Sequence, residues 1–247
     1  MKTSLACALA LFAATATAAP AALAAPTAIE RAVADPTRPA KDVAADAARH
    51  PAETLAFAGV KPGMTVAELF PGGGYFTRMI ADVVGPKGEI IGIENAGWKG
   101  AVTADRKTLA EINRPNIALQ VEPFGQLELT RPVDLFWITQ NYHDLKIAQF
   151  GNVDTAAFNR AVYAALKPGG TYFILDHQAN PGATVEDIAK LHRIEKAQVI
   201  REVTAAGFRL VGEGRFLARA SDDHTRPIFD LHGETDQYAL KFVKPKA

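Results

Sequence analysis

Several groups of residues in this chain carry side chains or backbone suited to chemistry. Pro71-Gly72-Gly73-Gly74 follows a short apolar run, 65–70, and opens a segment with helical spacing. A glycine turn between strand and helix lets backbone approach a ligand closely, and the helix start offers free N–H groups with a partial positive charge. Glu94 closes the next apolar run, 22 residues after Gly72. An acidic residue at that place can accept hydrogen bonds from both hydroxyls of a ribose. Asn141-Tyr142-His143-Asp144 follows a third run, 133–139. His143 is the general-base candidate, because an imidazole that titrates near neutrality can take a proton from a hydroxyl or amine. Asp144 either orients it or caps the next segment.

Two further pairs, Asp176-His177 and His192-Arg193, stand where they can face the same crevice. Asp222, Asp223, His224 and Arg226 cluster in the long polar loop 221–236. Their spacing matches no firm ligand pattern, so a lid or loop anchor is expected there and no metal. Arg49 and His50, just ahead of the first strand, are placed to close over a pocket.

The elements that must position these residues alternate. Residues 65–70 read as a strand and 75–84 as a helix with Phe76, Met79, Ile80 and Val83 on one face. Strand 89–94, helix 101–112, strand 117–121 and strand 133–139 follow. Helix 155–166 stops at Lys167-Pro168-Gly169-Gly170, before strand 171–176. A long helix is expected over 185–206, closed by Gly207, and the last strands over 208–216 and 238–243. Alternating strands and helices predict a parallel sheet covered on both faces, a Rossmann-like doubly wound α/β fold. Ahead of it, short helices are expected over 29–33, 41–49 and 52–58. The ligand crevice of such a sheet lies outside the carboxyl ends of its strands.

Composition sets the limits. The chain has 247 residues, 48% hydrophobic and 22% charged, which suits one globular domain with a sizeable core. Lys+Arg and Asp+Glu both number 27, and the basic residues are scattered. Nucleic acid is therefore not an expected partner, since phosphate affinity needs clustered cations. Lys2, the apolar stretch 5–14 and the Ala-x-Ala pattern Ala22-Leu23-Ala24 predict a cleavable signal peptide over 1–24, and so a periplasmic or secreted protein. The stretch is too short for a stable membrane span, which needs about 20 residues. The single cysteine, Cys7, falls inside it, so the mature chain holds no thiol for a disulfide, metal or nucleophile. A leader with capping helices is expected over 25–60 and the main domain over 61–247.

Three motifs in order carry a resemblance. Lys61-Pro62-Gly63-Met64-Thr65-Val66-Ala67-Glu68-Leu69 resembles the lead-in and first strand of class I S-adenosylmethionine-dependent methyltransferases. Leu166-Lys167-Pro168-Gly169-Gly170 resembles their turn before strand five, and Ala206-Gly207-Phe208 their link into strand six. The chain looks closest to a bacterial group of such proteins with a Pro-Gly-Gly-Gly turn and a signal peptide. The resemblance implies a seven-stranded, mostly parallel sheet with its last strand antiparallel. The implied cofactor is S-adenosyl-L-methionine. Glu68 and Gly72, Gly73 and Gly74 would bind its methionine part, Glu94 its ribose and Glu122 its adenine. Asn141, Tyr142 and His143 would face the sulfonium and the acceptor, with Tyr142 lining either the pocket or the core. The chain departs from the family at Phe70, where glycine is usual, and at Pro71, which removes one backbone donor. Two other readings stay open. An exported binding module on the same scaffold is one. A nicotinamide-dependent enzyme is disfavoured, because Thr77 stands where the third glycine of Gly-x-Gly-x-x-Gly belongs.

Overall fold

The computed structural model describes residues 25–124, 127–151 and 153–246. The expected leader 1–24, with Cys7, lies outside them. Four short helices come first: α1 (Ala28–Val33), α2 (Ala40–Ala44), α3 (Asp46–Arg49) and α4 (Pro51–Ala58). Pro51 at the first turn of α4 loses no hydrogen bond there, and Gly59 ends the helix with φ +85°. The expected single helix over 41–49 is thus two pieces, joined at Ala45.

The sheet then builds as β1 (Thr65–Leu69), α5 (Tyr75–Val84), β2 (Glu89–Asn95), α6 (Lys99–Ile112), β3 (Ile117–Glu122) and β4 (Val133–Thr139). It continues through α7 (Thr155–Ala165), β5 (Leu166–His177), α8 (Val185–Leu191), α9 (Lys196–Ala205), β6 (Arg209–Gly214) and β7 (Gln237–Val243). The seven strands lie in the order β3-β2-β1-β4-β5-β7-β6. All neighbours from β3 to β5 are parallel, and β7 runs antiparallel to both β5 and β6. Strand order reverses between β1 and β4, so the ligand crevice belongs above their carboxyl ends.

Residues along β1, β4 and β5, such as Ala67, Phe136, Trp137, Phe173 and Ile174, are inaccessible whichever face they occupy. This is what a parallel sheet covered on both sides requires. Helices α7 and α9 close one face, with Phe158, Val162, Val199 and Val203 in its core. The N-terminal helices and α5 close the other, through Leu55, Phe76, Met79, Ile80 and Val83.

Two further expectations are corrected. The ladder of β5 already begins at Leu166, because Gly169 N–H donates to the Lys244 carbonyl and Lys244 N–H to Gly170, which extends pairing through the proline-glycine stretch. The helix expected over 185–206 breaks into α8 and α9. Between them His192 takes a left-handed conformation (φ +53°), and Ile194 bridges to Gln178 beside the end of β5. The cause is Arg193, fully buried, whose guanidinium needs fixed acceptors. It donates to the Gln178 and Arg226 carbonyls and to Asp222. A continuous helix would carry that charge away from them.

Candidate active site

A cavity of about 650 Å³ opens at the predicted switch point. Its wall is built from the carboxyl end of β1 (Glu68, Phe70), the turn Pro71-Gly72-Gly73, the segment after β4 (Gln140, Asn141, His143, Asp144), His192, and Trp98 and Phe150. Lys41, Asp42, Ala45 and Arg49 roof it from the N-terminal helices, and Ile228 and Phe229 reach it from the 221–236 loop. The size and the mix of aromatic and convergent polar groups suit a ligand of nucleoside scale.

The glycine turn is held from below. Asp105 on α6 accepts the Gly72 N–H at 3.1 Å, and Arg78 on α5 donates to the Gly73 carbonyl at 2.8 Å. Gly73 has open space where a side chain would project, whereas one at Gly74 would meet Ile112 Cδ1 at 2.6 Å. Gly72 and Gly73 therefore face the cavity, and Gly74 serves the packing of α5 against α6. Glu68, wholly buried, accepts the Thr77 hydroxyl at 2.7 Å; burial pushes its pKa up to about 8. A carboxyl so placed is mostly neutral at pH 7.

The roof is tied down by charge. Arg38 pairs with Asp46 at 2.6 Å, Tyr75 donates to Asp46 at 2.6 Å, and Arg78 pairs with Asp42 at 2.9 Å. Arg49 lies over the Tyr75 ring, 4.3 Å from its centroid, and donates to Gln140 at 3.0 Å. His50, expected beside it, turns outward to Glu53.

Beyond β4 the cavity wall becomes a network. His143 is almost completely buried. Its Nδ1 lies 2.7 Å from Asp176 Oδ1, and its backbone N–H donates to Asp176 Oδ2 at 2.9 Å. A carboxylate only accepts, so Nδ1 carries hydrogen and Nε2 is the atom turned to the cavity side. Nε2 lies 3.3 Å from Asp144 Oδ1 and 3.3 Å from His192 Nδ1. Asn141 donates to the other Asp144 oxygen at 2.9 Å. Burial opposes the His143 cation, but Asp176 and Asp144 outweigh it and raise its pKa well above the ordinary value. His177, also buried, points to Thr235 at 2.9 Å, and burial pushes its pKa down to about 3.

Besides Gly74, three expected site residues stand off the cavity wall. Tyr142 takes the core alternative: its hydroxyl donates to Glu202 at 2.9 Å and accepts from Asn159 at 2.8 Å. Glu94 is buried against Asp105, and burial together with that neighbouring carboxyl raises its pKa. Glu122 receives Gln120 Nε2 at 3.2 Å. The wall presents Phe70, which has a left-handed backbone (φ +53°) and is stacked on Trp98 at 4.9 Å and 9°. Phe150 packs on Trp98 at 4.1 Å. Sequence reasoning missed Trp98, Phe150, Asp105 and Phe229, since single aromatic or acidic residues in helices and loops carry no spacing signal. In the 221–236 loop, Asp222 pairs with Arg193 at 2.9 Å and His224 with Asp236 at 2.9 Å, which makes that cluster a loop anchor.

Comparisons with known proteins agree with this architecture. Residues 35–122 match the family model of protein-L-isoaspartate(D-aspartate) O-methyltransferases. No curated protein matches the sequence. Among solved structures, a SAM-dependent methyltransferase from Aquifex aeolicus superposes with a TM-score of 0.60 at 16% identity, covering 84% of this chain and 98% of that one. The glycopeptide N-methyltransferase MtfA, solved with sinefungin, gives 0.55 at 18% identity, over 81% and 85% of the two chains. Aeropyrum pernix fibrillarin, solved with natively bound S-adenosyl-L-methionine, gives 0.50 at 18% identity, over 74% and 68%. Strand order, the antiparallel β7 and these superpositions show that the chain has the class I, Rossmann-like methyltransferase fold.

Proposed function

We propose that this protein is an S-adenosyl-L-methionine-dependent methyltransferase acting on a small-molecule or protein acceptor. The observation that carries the reading is the cavity above β1 and β4, where the Gly72-Gly73 turn and buried Glu68 face His143 and Asn141 across one space. The partial match to a methyltransferase family, and fold neighbours solved with S-adenosylmethionine or sinefungin, support the same cofactor.

Bound there, S-adenosylmethionine supplies an electrophilic methyl group: an acceptor lone pair bonds to its carbon while the carbon–sulfur bond breaks and that pair returns to sulfur. Glu68 and the glycine turn would hold the methionine end. The aromatic group of Phe70, Trp98 and Phe150 on the cavity wall would meet the adenine. Arg49, Ile228 and Phe229 line the cavity and would exclude water from a bound ligand. Asn141 and His143, the latter fixed by Asp176, would position the acceptor. Positioning and desolvation supply most of the acceleration in such a displacement, and a general base is not required.

The leader features at Lys2, 5–14 and Ala22-Leu23-Ala24 support export of the mature protein. No helix among the described residues is long and apolar enough to cross a membrane. A second reading, a non-catalytic binding module on this scaffold, draws on Glu94, whose carboxyl meets Asp105 and does not reach the cavity. Isothermal titration of the mature protein with S-adenosylhomocysteine tests the cofactor, and absence of heat at millimolar ligand removes the enzyme reading. A native mass spectrum that retains a nucleoside favours the enzyme over the binding module.

A further inference from the structure

We propose that His143 Nε2, Asp144 Oδ1 and His192 Nδ1 form a three-ligand site for one zinc-type divalent ion on the cavity wall. These atoms make a nearly equilateral triangle: 3.3 Å from His143 Nε2 to Asp144 Oδ1, 3.3 Å from His143 Nε2 to His192 Nδ1, and 3.4 Å from Asp144 Oδ1 to His192 Nδ1. A tetrahedral ion with bonds of about 2.0–2.1 Å separates its ligand atoms by roughly 3.3–3.4 Å. One face of that tetrahedron is already in place. Two imidazoles and one carboxylate are a donor set that suits zinc and its neighbours in the first transition row, and not magnesium or calcium.

A second observation is independent of the spacing. Asp144 Oδ1 is buried and has no hydrogen-bond partner among the described residues, although it lies at the centre of the cluster. A buried, unpartnered carboxylate oxygen is costly and calls for a counterpart. A third lies behind the ligands. Asp176 holds His143 through Nδ1, which leaves Nε2 as the coordinating nitrogen, and Asn141 holds the far oxygen of Asp144. A carboxylate behind a ligating histidine is the usual support of such sites, since it fixes tautomer and ring direction. His192 arrives from a different element, through the helix break that Arg193 imposes.

Three protein ligands leave a fourth position, and all three residues line the cavity. The site itself does not depend on methyl transfer. Its role rests on that reading: an acceptor hydroxyl taken at the fourth position would release its proton to solvent more readily, and its oxygen pair would then attack the methyl carbon. An oxygen acceptor is the class this favours.

The test strips the full protein with a chelator and titrates it with Zn(II) by calorimetry. Metal content after dialysis and the visible spectrum after Co(II) loading are read in parallel. Expected are one ion per chain, the intense bands of four-coordinate Co(II), and a Tm raised by Zn(II) but not by Mg(II). His192→Gln and Asp144→Asn should each weaken binding at least tenfold. Ion content well below one per chain overturns the site, as does equal loading of wild type and both variants, which would mean an adventitious ion only. Should the variants not fold, the wild-type stoichiometry and Co(II) spectrum decide alone, and weak six-coordinate bands overturn it. S-adenosylhomocysteine binding is measured on the same stripped protein. Its presence without an ion sinks only the metal site, and an ion without it sinks only the methyltransferase reading.

Discussion

Asp176, near the end of β5, grips His143 twice, accepting its ring Nδ1–H at 2.7 Å and its backbone N–H at 2.9 Å. One carboxylate thereby sets both where the residue sits and which ring nitrogen faces the cavity. Neither group is open to water, so no solvent competes with the pair.

Asp176 Oδ1 also accepts the His177 backbone N–H at 2.7 Å, so replacing the carboxylate with an amide leaves one acceptor oxygen for three donors. Asp176→Asn is expected to lose about 1–3 kcal/mol of stability from the unmatched buried group. It should also lower kcat about 10–100-fold, while S-adenosylhomocysteine affinity stays within about twofold. Urea unfolding and calorimetry read the two effects. A loss confined to stability would leave Asp176 a structural residue without a part in turnover.

The glycine turn separates binding from packing. Gly73→Leu projects into open cavity space and should weaken S-adenosylhomocysteine at least tenfold, at the cost of about one kcal/mol or less in stability. Gly74→Ala forces a methyl toward Ile112 at a backbone φ of +73° and should cost about 1–3 kcal/mol. Thermal melts and titrations on both variants check this. Equal affinity of Gly73→Leu and wild type would remove the turn from the binding site.

Glu68 makes stability depend on pH in a definite sense. Its folded pKa of about 8 stands above the ordinary 4.5, so the folded state holds a proton that the unfolded chain releases. The resulting stabilisation is full below about pH 4.5 and is lost as pH rises through 8. The slope is at most about 1.4 kcal/mol per pH unit in that window. Glu68→Gln lacks this term, so its stability relative to wild type should rise from pH 5 to pH 9. Urea midpoints at three pH values test it, and parallel profiles would mean that the carboxyl is ionised in the fold.

The Arg193–Asp222 pair anchors the loop that brings Phe229 to the cavity. Both side chains are essentially inaccessible. Asp222→Ala strands a buried guanidinium and is expected to cost about 3–5 kcal/mol. Limited proteolysis should then cut within 221–236 before the rest of the chain. Uniform cleavage throughout would show that the pair supports the whole fold and not this loop.

Much of this architecture was legible in the residue pattern. Apolar runs bounded by turns marked all seven strands, with β5 starting five residues early, and period-3.6 spacing marked helices α5, α6 and α7, because burial in a covered sheet or on a helix face is a local, repeating demand. The glycine turn and His143 were legible for a related reason, since each follows directly on a strand that ends at the crevice. The partners of Glu94 and Tyr142 were not legible. The two residues stand in the chain as expected, yet Asp105 holds one and Glu202 with Asn159 the other. Those partners come from other helices, and no spacing rule announces them.

The sequence by itself determined the order of elements, the parallel sheet and the strand ends at which a ligand would lie. Each follows from side-chain periodicity and turn chemistry within a window of a dozen residues. Only the tertiary structure decided that His192 meets His143 and Asp144. That meeting depends on breaking an otherwise continuous helix so that Arg193 can reach carbonyls and a carboxylate 15 to 33 residues away along the chain. A buried charge must find its partners wherever the fold places them, and that demand outweighed the local preference for helix.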